Sequence, residues 1–401
     1  MKNVKKRVLA LVLALLIGVC PAFADDRTQD TYYYGGTGQD TIYDVTPLPN
    51  GSLLLNGYTQ LGRGDQPQLT GGGHPTRAWL LCLAPDGSIL WEVIDETEGT
   101  TRYITPILTS AGEIAVLFYN SPSQVNTEIA IHFFSLEGDK LRKVSLPLEA
   151  GLVEGRMTDG FVFYDWEKGY MTADLNGNLQ YIGISKENRL IITGVDGMVP
   201  YGDGWVAAGR NPRAKHEATA ENPFVQSSAV IHYHRDGEIA WLFTSPELSQ
   251  GTFSNAQLQP DGTLLFNWYR SDEETGEVQE SRMVCLDADG NLLWEKPIPK
   301  EISGEFAVTD EGWVFSKQWM EKTYAFIQFT LVDTDGQIQQ QWQAEKRRDM
   351  LYGGEMFTWN GEAWFHADAE RQSNRVNDRQ DEMELQDAML IRVKDCQPLA
   401  E

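Results

Sequence analysis

The sequence predicts an all-β fold: a single seven-bladed β-propeller of four-stranded blades, closed by an N-terminal strand that completes the last blade. Three observations carry this. A hairpin-turn glycine recurs at Gly51, Gly112, Gly160, Gly204, Gly262, Gly312 and Gly361. The intervals run from 44 residues (Gly160 to Gly204) to 61 (Gly51 to Gly112), the spacing of propeller blades with loops of varying length. A second turn follows in six units, at Asp86-Gly87, Glu137-Gly138, Asn176-Gly177, Asp236-Gly237, Asp289-Gly290 and Asp335-Gly336, and is eroded near Asp395 in the seventh. Finally, 11% aromatic content with 12 Trp suits sheets, and no stretch shows a sustained helical period.

The first unit sets the pattern. Gly35-Gly36 leads into the alternating run Ile42 to Val45, the turn Asn50-Gly51, a strand from Ser52 to Tyr58, a Gly-rich loop, a strand from Ala78 to Leu83, the turn Asp86-Gly87, and Ile89-Leu90-Trp91. Asn-Gly or Asp-Gly between alternating apolar runs predicts a type I′ hairpin turn, whose two central residues both need positive φ. The last strand of a unit tends to end in an aromatic, at Trp91, Tyr181, Trp241, Trp294 and Trp342, while the second unit substitutes Leu141-Arg142-Lys143. The seventh unit has strands at Glu355 to Trp359, Glu362 to His366 and Ala388 to Val393, and then the sequence ends. Its fourth strand is expected to be Thr31-Tyr32-Tyr33-Tyr34, which joins the two ends of the chain and closes the ring.

Lys2, Lys5, Lys6 and Arg7, the apolar run Val8 to Cys20, and Ala22-Phe23-Ala24 read as a secretory leader over residues 1–24, with the propeller over 25–401. Cleavage after Ala24 is favoured over lipidation at Cys20, because Val19 stands where a lipoprotein signal wants a small residue. The apolar run is too short to span a bilayer, so no transmembrane segment is expected after cleavage. Removing four of 33 basic residues and none of 58 acidic ones leaves 29 − 58 = −29, a field that disfavours nucleic acid and anionic membranes. Cys82 and Cys285 occupy the same place in two units, so they are expected to be buried structural thiols rather than a disulfide.

The Gly-Gly, Asp-Gly, Gly-Tyr-Thr and Asp-x-Asp-Gly-x-x-x-Trp pattern, clearest at Tyr34 to Trp91 and at Leu286 to Trp294, resembles the repeat of secreted bacterial β-propellers. That resemblance implies an envelope or extracellular location and no particular reaction. Asp-x-Asp-Gly-x-x-x-Trp is also similar to the repeat of quinoprotein dehydrogenases and of the outer-membrane assembly propeller, in which the Trp locks neighbouring blades. Quinoproteins use eight blades, calcium and commonly a vicinal disulfide; seven units and no adjacent Cys pair argue against a quinone, so no cofactor and no catalytic residue are carried over.

Because the strands of a meander run alternately up and down, the loop between second and third strands and the connection to the next blade share one face. Both tight turns lie on the other. The long loops, Gln60 to Arg77, Arg210 to Ser227, Arg270 to Ser281 and His366 to Gln386, are of the first kind, and long loops on a rigid scaffold often carry function. Seven residues past each marker glycine stand Tyr58, Tyr119, Glu167, Asn211, Tyr269, Trp319 and Asp368, with Trp166 and Trp268 one residue earlier. Such rim aromatics either stack on sugars or anchor a protein partner, or else pack blade against blade. Seven residues before each marker, Asp44, Thr105, Val153, Gly197, Asn255, Glu305 and Gly354 lie in the inner strands, where polar groups either hydrate the channel or, as a carboxylate pair such as Asp44 and Glu305, act on a glycosidic bond.

His232 and His234 share a strand face but lack a third ligand in the sequence, so no metal is expected. Gly71-Gly72-Gly73-His74-Pro75 has no following helix to bind phosphate. Asp272-Glu273-Glu274 and the charged run Asp368 to Asp387 lack the spacing of a calcium loop. The expectation is a secreted or extracytoplasmic monomer, non-enzymatic, that binds a protein or glycan through its long-loop face. The alternative is an extracellular glycan-active enzyme using channel-mouth carboxylates.

Overall fold

The computed structural model describes residues 31–35, 40–60, 76–123, 126–148, 152–165, 169–182, 198–211, 227–245, 247–248, 251–272, 275–302, 304–321, 324–344, 350–371 and 385–399. Seven antiparallel sheets form a ring, a seven-bladed β-propeller. Blade one runs Asp40–Pro47, Leu53–Thr59, Arg77–Leu83 and Ile89–Ile94 from the inner strand outward. Blades two to six repeat that order. Blade seven uses Met350–Trp359, Glu362–Arg371 and Leu385–Arg392, and takes Thr31–Tyr34 as its outer strand, with Thr31 opposite Ile391 and Tyr34 opposite Ala388. The expected closure of the ring by the N-terminal strand is therefore present.

The middle strands are apolar on both sides because each face packs on a different neighbour. Side chains alternate across a strand, so Leu53 and Leu55 enter the core shared with blade seven, whereas Leu54 enters the core shared with blade two. The same division repeats at every boundary, and each hydrophobic core draws on two adjacent blades. Closing the last boundary buries Tyr34, Trp359 and Trp364 with Leu53 and Trp79.

The repeat aromatics fasten these boundaries. Trp91 donates its indole N–H to the Leu136 carbonyl at 2.8 Å and Trp241 to that of Ala288 at 3.1 Å, each reaching the second turn of the next blade. The Trp91 ring lies so close to Gly138 that a Cβ there would stand 2.7 Å from it. In blade seven, Tyr34 performs the same task by donating its hydroxyl to the Gly87 carbonyl at 2.8 Å.

Two expectations are corrected. The repeating turns are, with one exception, not type I′: among the described residues only Asp159, Asn360, Thr105 and Asn255 have positive φ without being glycine. Only Asn360-Gly361 places both central residues there. At the second turns the glycine alone is left-handed, for example Gly87 at φ 81° with its N–H donating to the Ala84 carbonyl at 2.8 Å. That is a type I turn closed by a left-handed glycine. The aspartates serve the turn through their side chains: Asp287 Oδ1 accepts from the N–H groups of Asp289 (2.9 Å) and Asn291 (2.8 Å). The second correction concerns blade six, which has five strands. Thr31–Tyr34 already fills the outer edge of blade seven, so after a 3₁₀ turn at Val393–Asp395 the chain crosses over. There Gln397–Pro398 pairs with Gln343 and Trp342 of blade six.

Candidate site at the long-loop mouth

Inner strands start on the long-loop face, where Thr41 stands opposite Tyr58. Four of them carry a β-bulge close to the position seven residues before the marker glycine. The bulged residues are Tyr43 in blade one, Thr105 and Pro106 in blade two, Asn255 and Ala256 in blade five, and Gly353 and Gly354 in blade seven. Thr105 (φ 52°), Asn255 (φ 51°) and Gly354 (φ 135°) all have positive φ there, which is a genuine outlier for a β-branched residue such as Thr105. A bulge re-aims a side chain. In blade one it leaves Tyr43 36% exposed between the buried Ile42 and Val45.

Around Tyr43 the mouth carries a polar and aromatic cluster spanning blades seven, one, two and three. The Tyr43 and Tyr58 rings meet edge to face at 5.7 Å. The exposed Arg102 lays its guanidinium 5.9 Å from the Tyr43 ring centre and 5.0 Å from that of Tyr119. Tyr119 is buried and donates its hydroxyl to Glu154 Oε1. Burial pushes the Glu154 carboxyl up, against the opposing pull of that hydrogen bond and of Arg102. On the blade seven side, Asp368 Oδ1 accepts from the Ile42 N–H at 3.1 Å. Burial drives its carboxyl up to about 6, with Ile42, Thr41 and His366 opposing the rise.

One layer deeper, Arg156 of blade three pairs with Asp44 of blade one and donates through Nε to the Pro106 carbonyl of blade two at 3.0 Å. Glu355 lies against His366, Nε2 to Oε2 at 3.2 Å. Burial pushes the Glu355 carboxyl up, but His366 and Arg156 outweigh it and hold it below the usual range.

The residues singled out in the sequence therefore fall in several settings. Tyr58, Tyr119 and Asp44 belong to this cluster. Trp268 is fully buried, donating to the Leu248 carbonyl at 2.9 Å within the core between blades four and five. Trp319 stacks on Phe326 at 5.3 Å in blade six, Tyr269 is half-buried in blade five, and Asn255 and Glu305 are half-buried at the inner strands of blades five and six. Trp166, Glu167, Gly197, Glu273, Glu274, the loop from Gly71 to Pro75 and the leader lie outside the described residues. Counting from the turn glycines misses Tyr43, which a bulge re-aims, and also Arg102 and Glu154, which lie at other offsets on their strands. A charged residue within each inner strand is the signal that points to the last two.

His232 and His234 do share a face, with ring centres 5.5 Å apart, and His234 Nδ1 meets Asp203 Oδ1 at 2.7 Å. Among the described residues no group of three or more His, Cys, Asp or Glu is placed to hold a metal ion. Cys82, Cys285 and Cys396 are buried, and none of them is in a disulfide. No helix among the described residues is long and apolar enough to cross a membrane.

No family model matches the sequence, and no curated protein matches it. Among solved structures, a protein of unknown function from Dyadobacter fermentans is 11% identical with a TM-score of 0.41, covering 91% of this chain and 99% of that one. A protein of unknown function from Bacteroides caccae is 13% identical with a TM-score of 0.38, covering 64% and 81%. Likeness at this level carries no argument about activity.

Proposed function

We propose that the chain is an exported, monomeric, non-enzymatic propeller that binds a glycan through the long-loop mouth of its channel. The observation that supports this best is the Tyr43, Tyr58 and Arg102 cluster, where an exposed ring and a guanidinium stand together on strands of a rigid scaffold. Aromatic faces take the apolar face of a sugar ring, and a guanidinium supplies directed donors. Export rests on the leader read over residues 1–24. The test is binding of the chain from Asp25 to Glu401 to a glycan array, repeated with Tyr43→Ala and Tyr58→Ala. Loss of binding with an unchanged circular dichroism spectrum supports the reading, and absence of binding to every glycan, or binding indifferent to both changes, sinks it.

A glycan-active enzyme is the second reading, and one observation favours it. Asp368 is pushed up to about 6 while Glu355, on the neighbouring strand, is held low. Carboxyls driven apart in this way suit an acid and a base. Release of reducing ends from a bound glycan, abolished by Asp368→Asn, would establish it; binding without turnover returns the first reading.

A further inference from the structure

We infer that the ligand of this mouth is an acidic glycan, and that Arg102 reads a carboxylate on its sugar ring. The inference rests on the glycan reading of the mouth and narrows it to one chemical class.

The sequence carries a formal net charge of −25, so a cation on its surface has many acids to pair with. Many of the described cations have done so: Arg142 with Glu113, Lys143 with Glu128, Arg156 with Asp44, Arg282 with Glu280 and Glu295, and Arg392 with Glu362. Arg102 is exposed, yet among the described residues it forms no ion pair, and it is flanked by the rings of Tyr43 and Tyr119. The nearby acid is already engaged. Glu154 accepts the Tyr119 hydroxyl, and burial pushes its carboxyl above the usual range.

Arg102 also hydrogen-bonds the Tyr43 side chain, and with five N–H donors its guanidinium keeps others, in a fork that matches a carboxylate. Tyr43 and Tyr58 offer an aromatic surface beside it for the ring that bears the carboxylate. A lysine would not supply the fork, and a neutral sugar would not use the charge. The protein's overall negative field works against an anionic ligand, but at physiological ionic strength it is screened over about 8 Å, so the local contact decides.

The experiment uses the chain from Asp25 to Glu401 and a panel of uronate glycans (oligogalacturonate, alginate, hyaluronan and heparosan oligosaccharides), each with its carboxyl-reduced counterpart, titrated by calorimetry. At least one uronate is expected to bind, with its reduced counterpart binding at least tenfold less tightly. Arg102→Gln should remove that tenfold preference by weakening binding of the uronate far more than binding of the reduced glycan, and Arg102→Lys should restore only part of it. Arg102 is exposed, and melting curves check that both variants fold. Equal affinity for the acid and reduced forms, or an equal loss for both in Arg102→Gln, overturns the inference while leaving the mouth a glycan site. Binding only to neutral glycans does the same. No binding to any glycan, charged or reduced, overturns the reading beneath it as well.

Discussion

Arg156 and Asp44 lie 112 residues apart and on blades that are not neighbours, yet they form an ion pair. Arg156 reaches past blade two, whose Pro106 carbonyl accepts from its Nε at 3.0 Å. One side chain thereby ties three blades. Truncating it leaves Asp44 without its cation and removes a positive charge that also acts on Glu355. Removing one partner of a part-buried pair is more damaging than removing both. Arg156→Ala is expected to lower stability by about 2 kcal/mol, less than for a fully buried pair because both side chains keep some exposure. Adding Asp44→Asn should recover part of the loss. Urea unfolding of the single and double variants measures this, and strictly additive losses would show that the pair is not coupled.

Gly138 and Gly262 provide a matched test of the blade lock. Their φ angles are 89° and 86°, but a Cβ at Gly138 meets the Trp91 ring at 2.7 Å, whereas one at Gly262 has nothing within 4 Å. Alanine at either position carries the penalty of left-handed backbone, about 1 kcal/mol. Gly138→Ala should cost about 1 to 2 kcal/mol more, because it displaces the indole that caps the turn. Similar unfolding midpoints for the two variants would mean that Trp91 moves freely and locks nothing.

Much of the fold was legible because each unit repeats one local instruction. Most turn glycines stand at positive φ, and apolar residues supply both faces of every blade, so the sequence marks the boundaries directly. Blade closure was legible from Tyr32 to Tyr34, a strand with no partner in its own unit. The fifth strand of blade six was not, because two residues at Gln397 and Pro398 have no pattern to read. The site was only half legible. Tyr58 and Tyr119 follow from counting, but Tyr43 is re-aimed by a bulge, Arg102 is placed opposite Tyr119 by the register of blade two, and Glu154 reaches Tyr119 only when blades two and three are assembled.

Asp95 joins blades one and two: its Oδ2 accepts from Lys140 Nζ at 2.8 Å and from the Tyr103 hydroxyl at 3.2 Å. Burial opposes its ionisation, but hydrogen bonds from Lys140 and Thr97 prevail and hold the carboxyl at about 2. A folded value below the unfolded one means that the stabilisation is present above about pH 4 and is lost as pH falls toward 2. Asp95→Asn should therefore cost about 2 kcal/mol at pH 7. Urea midpoints of wild type and variant should converge between about pH 4 and pH 2. A gap that persists unchanged at low pH would assign the loss to packing rather than charge.

Asp368 makes the opposite case. Its carboxyl is raised to about 6 by burial, against about 4 in an unfolded chain. Below about pH 4 both states hold the proton and the group is neutral in effect. Between about 4 and 6 the unfolded state releases its proton first, so stability falls as pH rises, and above that range the penalty is constant. Asn at this position keeps an oxygen for the Ile42 N–H and removes the buried charge. Asp368→Asn should match wild type below about pH 4 and exceed it above about pH 6 by on the order of 2 kcal/mol, allowing for partial exposure of the site. Urea unfolding at intervals across that pH range reads this directly. Parallel curves for the two proteins would mean that Asp368 ionises as it would in water, and would remove the acid from the enzymatic reading of the mouth.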